Sequence, residues 1–262
     1  MRILFSTIFA MALATTAWAE QEATTPTMPV FSGGIELEFT NNPTTDKVET
    51  DTTIDLGLDA GDIAFGGIKI KSTDGDTFEL DEWMLGTEVG VATFSIGDMG
   101  GIFLEAESDY ASLDNPTIKE SVQISVDDFK VALGFSDLEN DALDIERVQG
   151  AYTYNIEGLG SITGSGDYNL DSEQFMVGGR VATVMGAGGT ITYAEATEKF
   201  NFEVDYTMNG AMVYLNGDED DMTQNIGAGY STDFNGLNLG ADLNYNFDSE
   251  DVTPRVTVGF SF

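Results

Sequence analysis

The chain has no cysteine and no histidine, only 10 lysines and arginines against 46 aspartates and glutamates, and only 5 prolines in 262 residues. Each shortage removes a class of protein. Without cysteine there is no disulfide framework, no thiolate nucleophile and no cysteine-ligated zinc or iron–sulfur site. Without histidine, Ser-His and Cys-His hydrolytic machinery and histidine-bound metals are excluded too. The formal net charge of -36 opposes polyanions, because neutralising phosphates takes clustered Lys and Arg, so no nucleic-acid partner is expected. Paired carboxylates such as Glu36 and Glu38, or Asp218 and Asp220, fall on strands or loops expected to be wet. Acid–base catalysis needs a dry pocket that separates their pKa values, so no enzyme is expected.

What is present points to an ordered, exported sheet. The 17 Phe and 9 Tyr argue against disorder despite the charge, and 30 Gly suit many turns. Met1-Arg2 is a short positive segment, Ile3 to Thr16 is mostly apolar, and Ala17-Trp18-Ala19 supplies the small residues a signal peptidase needs. Residues 1–19 are therefore read as a signal peptide and 20–262, beginning at Glu20, as the mature domain. No later stretch approaches the roughly 20 apolar residues of a membrane-spanning helix. An exported chain of this kind is either free outside the inner membrane or a β-barrel in the outer one.

The rest alternates with a period of two. Phe31, Ile35, Leu37 and Phe39 share one face while Ser32, Glu36, Glu38 and Thr40 share the other, and FKVALGF and KFNFEVDYTM repeat the pattern. Such runs predict about 16 strands, near 30–40, 47–59, 62–71, 79–86, 89–97, 119–126, 128–136, 144–155, 158–167, 173–183, 188–196, 199–208, 211–217, 223–232, 237–247 and 252–262. Connections alternate between tight turns (AGD, GTE, VDD, IEG, MNG, FNG) and longer acidic stretches (NNPTTDK, SDLENDALD, GDEDDMT). Outer-membrane barrels have that asymmetry. A soluble β-sandwich acting as an exported binding or adhesion protein also alternates apolar and polar positions, but mixes hairpins with long crossovers. The hairpins throughout, and the last strand, favour the barrel: an all-β, transmembrane, antiparallel up-and-down β-barrel of about 16 strands.

That last strand, DVTPRVTVGFSF, sets Val256, Val258, Phe260 and Phe262 on one face. It resembles the terminal strand that the outer-membrane assembly machinery recognises in bacterial barrels. The segment EWMLGTEVGVATFSIGD (82 to 98) resembles the strand-turn-strand of Gram-negative general porins, whose second strand runs close to G-T-V-T-x-G-R. The compact 16-stranded Rhodobacter type compares best, as architecture over the whole mature chain and as residues in these two stretches. One departure is that Asp98 stands where the family has a basic residue.

The resemblance implies a passive channel for ions and small hydrophilic solutes, set in outer-membrane lipid as a homotrimer. It also implies that the loop after the fifth strand, residues 99 to 120, folds inward to narrow the bore. Acidic Asp98, Glu105, Glu107, Asp109 and Asp114 would then face basic Lys69, Lys130, Arg147, Arg180 and Arg255 on the wall. Those bases have inward parity, since Ile68, Phe129, Val148, Val181 and Val256 take the lipid side; local charge balance is the alternative role for them. A bore lined with carboxylates lowers the energy of cations, so cation preference is expected. No cofactor is expected. Asp218, Glu219, Asp220 and Asp221, or Asp74, Asp76, Asp81 and Glu82, lack the spacing of a calcium-binding loop, leaving at most weak calcium binding.

Overall fold

The period of two becomes sixteen antiparallel strands in the computed structural model, which describes residues 29–43, 47–61, 63–75, 77–104, 116, 118, 120–135, 144–221 and 223–261. The first eight are β1 (Val30–Asn42), β2 (Lys47–Asp59), β3 (Phe65–Thr73), β4 (Glu79–Val89), β5 (Ala92–Asp98), β6 (Glu120–Val126), β7 (Phe129–Phe135) and β8 (Ile145–Ile156). The others are β9 (Gly160–Asn169), β10 (Gln174–Thr183), β11 (Ala187–Ala194), β12 (Lys199–Met208), β13 (Ala211–Asp218), β14 (Asn225–Phe234), β15 (Leu237–Asn246) and β16 (Asp251–Ser261). No expected strand end is displaced by more than three residues. The proposed signal peptide and its cleavage point lie outside the described residues.

Each strand pairs with its neighbours in sequence, and β16 returns to pair antiparallel with β1, from Gly34 opposite Ser261 to Thr40 opposite Arg255. The sheet is thus a closed barrel. Closure follows from what each face of the sheet carries. Ile35, Leu56, Ile68, Phe94, Ile191, Val204 and Val256 all point outward and are exposed, whereas Gln149, Glu203, Asn216 and Thr192 are the bulky side chains buried inside. A sandwich would hide the first set and wet the second. Among the described residues no helix is long and apolar enough to cross a membrane; strands are the elements suited to cross it, and a closed sheet leaves no backbone edge in hydrocarbon.

Aromatic residues gather at the two rims of the apolar band. At one rim Tyr193 stacks at 4.8 Å from Phe200 and 6.1 Å from Phe175, and Tyr245 meets Phe247 edge-on at 4.9 Å. At the other, Tyr154, Tyr206, Tyr230 and Phe260 are exposed near the turns. Such girdles sit at the interfaces of membrane barrels, where an amphipathic ring meets both water and lipid.

Four of the seven connections at the turn end are two-residue hairpins. Asn209-Gly210 (φ 52° and 82°) and Asn235-Gly236 (φ 55° and 83°) have the left-handed pair that matches the twist of the flanking strands. Several connections at the loop end are short as well: residues 170–173, 195–198 and 247–250 suffice to join their strands. The GTE segment is also not a turn. β4 runs through Val89 and the chain reverses at Gly90-Val91. Gly86 is glycine because the inward Phe65 ring lies flat on it, where a Cβ would come within 2.3 Å of the ring.

Candidate channel lumen

Beyond Asp98 the chain leaves the sheet and enters the barrel. Its first residues run along the inner wall, held by backbone contacts to polar side chains. The Gly100 carbonyl accepts from Gln123 Nε2 at 3.0 Å and from Ser121 Oγ at 3.3 Å, both on β6. The Ile102 amide donates to Gln149 Oε1 on β8 at 2.7 Å, and the Leu104 amide reaches Ser165 Oγ on β9 at 3.4 Å. Gln149 is oriented for this by donating its Nε2 to Asp167 Oδ1 at 3.0 Å.

Phe103 and Leu104 are buried against β10 and β11. They fit because Gly178 has no side chain: a Cβ there would lie 3.2 Å from Leu104 Cδ1 and 3.3 Å from Phe103 Cζ. On the way back Ile118 is buried against Gly134 of β7. The described parts of this loop, residues 99–104 and Ile118, are therefore docked on one side of the lumen.

The inner wall consequently has two characters. Along β6 to β13 it is dry, with Ala132, Thr192, Ala194, Glu203, Tyr214 and Asn216 all nearly inaccessible. Beside it an amide network continues the packing: Tyr214 Oη donates to Asn244 Oδ1 at 3.0 Å, Asn244 and Asn246 donate to Asn225 Oδ1, and Asn225 Nδ2 donates to Asn216 Oδ1 at 3.0 Å. From β1 to β4 the wall is more open, with β15 and β16 half-buried at its border, and the strands alternate charge. Arg255 Nε donates to Asp242 at 2.7 Å, with its Nη1 3.4 Å from Glu38; Lys71 lies 3.1 Å from Asp51, and Lys69 lies 2.8 Å from Glu82.

The expected basic residues divide between these walls. Arg180 bonds Asp205 through both guanidinium nitrogens, at 3.0 and 3.2 Å, and Thr190 at 2.7 Å. That pair is almost dry, at 13% and 3% side-chain exposure, against 34% and 45% for Lys69 and Glu82. Arg147 is 2.7 Å from Asp167 on the same dry side. Lys69 belongs to the wet wall, and Arg255 to its half-buried border beside Asp242. Lys130 is exposed on β7 near its tight turn, with no ion pair among the described residues. Each of the other four is paired with a carboxylate of the wall. Asp98 closes β5 at the point where the loop departs, in register with Trp83 and Glu120. Glu105, Glu107, Asp109, Asp114 and Phe262 lie outside the described residues, while Val256 and Phe260 stand exposed on the outer face of β16 and Val258 is half-buried there.

Two further bases share the inward face, Lys71 and Lys199, the latter 2.6 Å from Asp220 and 3.7 Å from Asp218 at the loop end. Both are flanked by outward residues, Ile70 and Phe200, so the parity rule that selected the others applied to them as well. Asp218 Oδ1 also accepts from the Asp220 and Asp221 amides at 2.9 and 2.7 Å. Nearby, a hydrogen bond to the Asp221 carboxyl, together with its charge, raises the pKa of Asp248 above the ordinary carboxylate value. Among the described residues no group of three or more acidic side chains is arranged to hold a metal ion.

No protein-family model and no curated protein matches the chain. Solved structures do. A mutant of the Rh. blastica porin superposes with a TM-score of 0.60 at 12% identity, covering 90% of this chain and 100% of that one. The barrel has the porin fold. Salmonella typhi OmpF, solved in complex with daunomycin, gives a TM-score of 0.61 at 12% identity over 89% of this chain and 97% of its own. The trimer form of OmpT, an outer membrane protein of Vibrio cholerae, gives 0.53 at 13% identity over 90% and 99%. At these identities the porin fold is what is shared, and the inward loop and lumen wall above are this chain's own version of it.

Proposed function

We propose that the protein is a porin of a Gram-negative outer membrane, exported by residues 1–19 and forming a water-filled passage for passive diffusion of ions and small hydrophilic solutes. The observation that carries this reading is the closed barrel with an apolar outside, a charged wall on one side of its interior and a loop stem docked along the other.

Cation preference is part of the proposal. The wet wall carries Glu36, Glu38, Asp51, Asp55, Glu82 and Asp242 against Arg255, Lys69 and Lys71. Low-dielectric walls focus that excess on the bore, lowering the energy of cations and raising that of anions. Weak, diffuse calcium binding at the acidic loop end belongs to the same reading. Homotrimeric assembly is proposed from the likeness to solved porins, and recognition by the assembly machinery from the alternation of Val256, Val258 and Phe260.

The test is single-channel recording of the purified mature protein in a planar bilayer, with reversal potentials in a salt gradient. Stepwise openings whose reversal potential lies on the cation side are expected. Folded protein that leaves the bilayer silent overturns the proposal, and openings with anion preference overturn its electrostatic part.

A further inference from the structure

On the wet wall, the inward residues of β1 to β4 form two rows in register. One is charged: Gly34, Asp55, Lys69 and Glu82. The next, towards the turn end, is small: Ser32, Gly57, Gly67 and Met84. Between the rows only backbone faces the lumen, because Leu56 and Ile68 turn their side chains to lipid. The missing side chains leave a recess of about 520 Å³, with Asp98 and Met99, where the loop stem departs, at its edge. That volume is within the range of small-molecule sites.

We propose that this recess binds a zwitterionic solute, an α-amino acid with a small or apolar side chain. Its charged edge reads minus, plus, minus. Lys69 gives one contact to Glu82, at 2.8 Å, and an ammonium has three donors, so donors remain for a solute carboxylate. Asp55, in register on the other side of Lys69, accepts from the solute ammonium. The solute side chain then lies on the glycine floor beside the thioethers of Met84 and Met99, soft apolar surfaces that adapt to shape.

Other solutes use less of this arrangement. A simple cation gains nothing from Lys69 and is served equally well elsewhere on the acidic wall. An anion is opposed by Asp55 and Glu82. The porin reading enters only as the reason a solute reaches the recess; the binding chemistry stands apart from it.

The test is a saturation-transfer NMR titration of the mature protein folded in detergent micelles, with L-leucine, leucinamide and 4-methylpentanoate. Leucine is expected to saturate, and each single-charge analogue to bind about tenfold more weakly or worse, as befits loss of a charge-assisted contact. Gly67→Leu is expected to fill the recess, since a Cβ there comes no closer than 3.4 Å to the Leu56 carbonyl oxygen, and to abolish leucine saturation in protein that keeps its heat-modifiable gel migration. Lys69→Gln is expected to weaken leucine by about tenfold. Should Gly67→Leu fail to fold, Lys69→Gln and the two analogues decide. Leucinamide binding as tightly as leucine, no saturation by the unaltered protein, or unchanged binding in both variants overturns the proposal. Leucine saturation by a protein silent in bilayers removes the porin reading and leaves the site standing.

Discussion

Between β6 and β11 the inner wall is lined by the loop stem, and an amide network carries the buried wall on through β13 to β15; from β1 to β4 an equally polar wall stands open. The same residue types do different work on the two sides. Under cover, Arg180 and Asp205 behave as a buried pair whose members cannot be separated without stranding a charge. In the open, Lys71 and Asp51 are a screened surface pair that adds little to stability and much to the local potential. A charged side chain in a barrel is thus assigned its role by what faces it, not by pointing inward.

That contrast is open to attack from either side. The largest expected effect is Arg180→Ala, which leaves Asp205 buried without its bidentate partner and costs about 3 kcal/mol or more of barrel stability, read by urea unfolding in detergent; a loss below about 1 kcal/mol, the range of an exposed pair, erases the distinction between the walls. Next is Gly178→Val. Its side chain enters the space of Phe103, Leu104 and Thr192, costing about 1–3 kcal/mol by overpacking and lifting the loop stem from its wall. Single-channel conductance should change, and an unaltered conductance would mean that the stem does not help to set the bore. Third, Lys71→Gln on the wet wall should leave stability within about 1 kcal/mol while moving the reversal potential further towards cations at low salt. That movement should fade near 1 M salt, where the screening length is about 3 Å.

The smallest effect concerns the loop end. Because the fold raises the pKa of Asp248, the folded state holds its proton more tightly than the unfolded chain does. The contribution to stability is therefore present below the ordinary carboxylate pKa and is lost as pH rises through the raised one. Asp248→Asn should flatten this dependence and slow amide exchange around residues 247–250 at neutral pH; exchange that keeps its wild-type pH profile would remove Asp248 as the cause.

Most of the fold was readable because alternation is a local property of the chain. Phe200, Phe202, Val204 and Tyr206 declare one face whatever their partners are. Gly86 was misleading for a non-local reason, since its need for glycine comes from the Phe65 ring on the adjacent strand. The lumen was legible only in part. Parity identified Arg180 and Lys69 as inward, but their partners depend on register, as Asp205 is 25 residues from Arg180 in sequence. Nothing in the spacing of Gln149, Ser165 and Gly178 announces that they receive one loop stem, because their common purpose exists only once three strands stand side by side.

The seam between β1 and β16 carries a consequence for how the molecule is made. Residues more than two hundred positions apart, such as Glu38 and Arg255, are brought together by the final eleven-residue strand, so no shorter version of the sheet is a smaller barrel. A chain stopped before Asp251 has two raw borders, one on β1 and one on β15, with unmet amides and carbonyls where lipid offers nothing to bond. Closure is therefore all or nothing: only the pairing of β16 with β1 and β15 removes both borders at once.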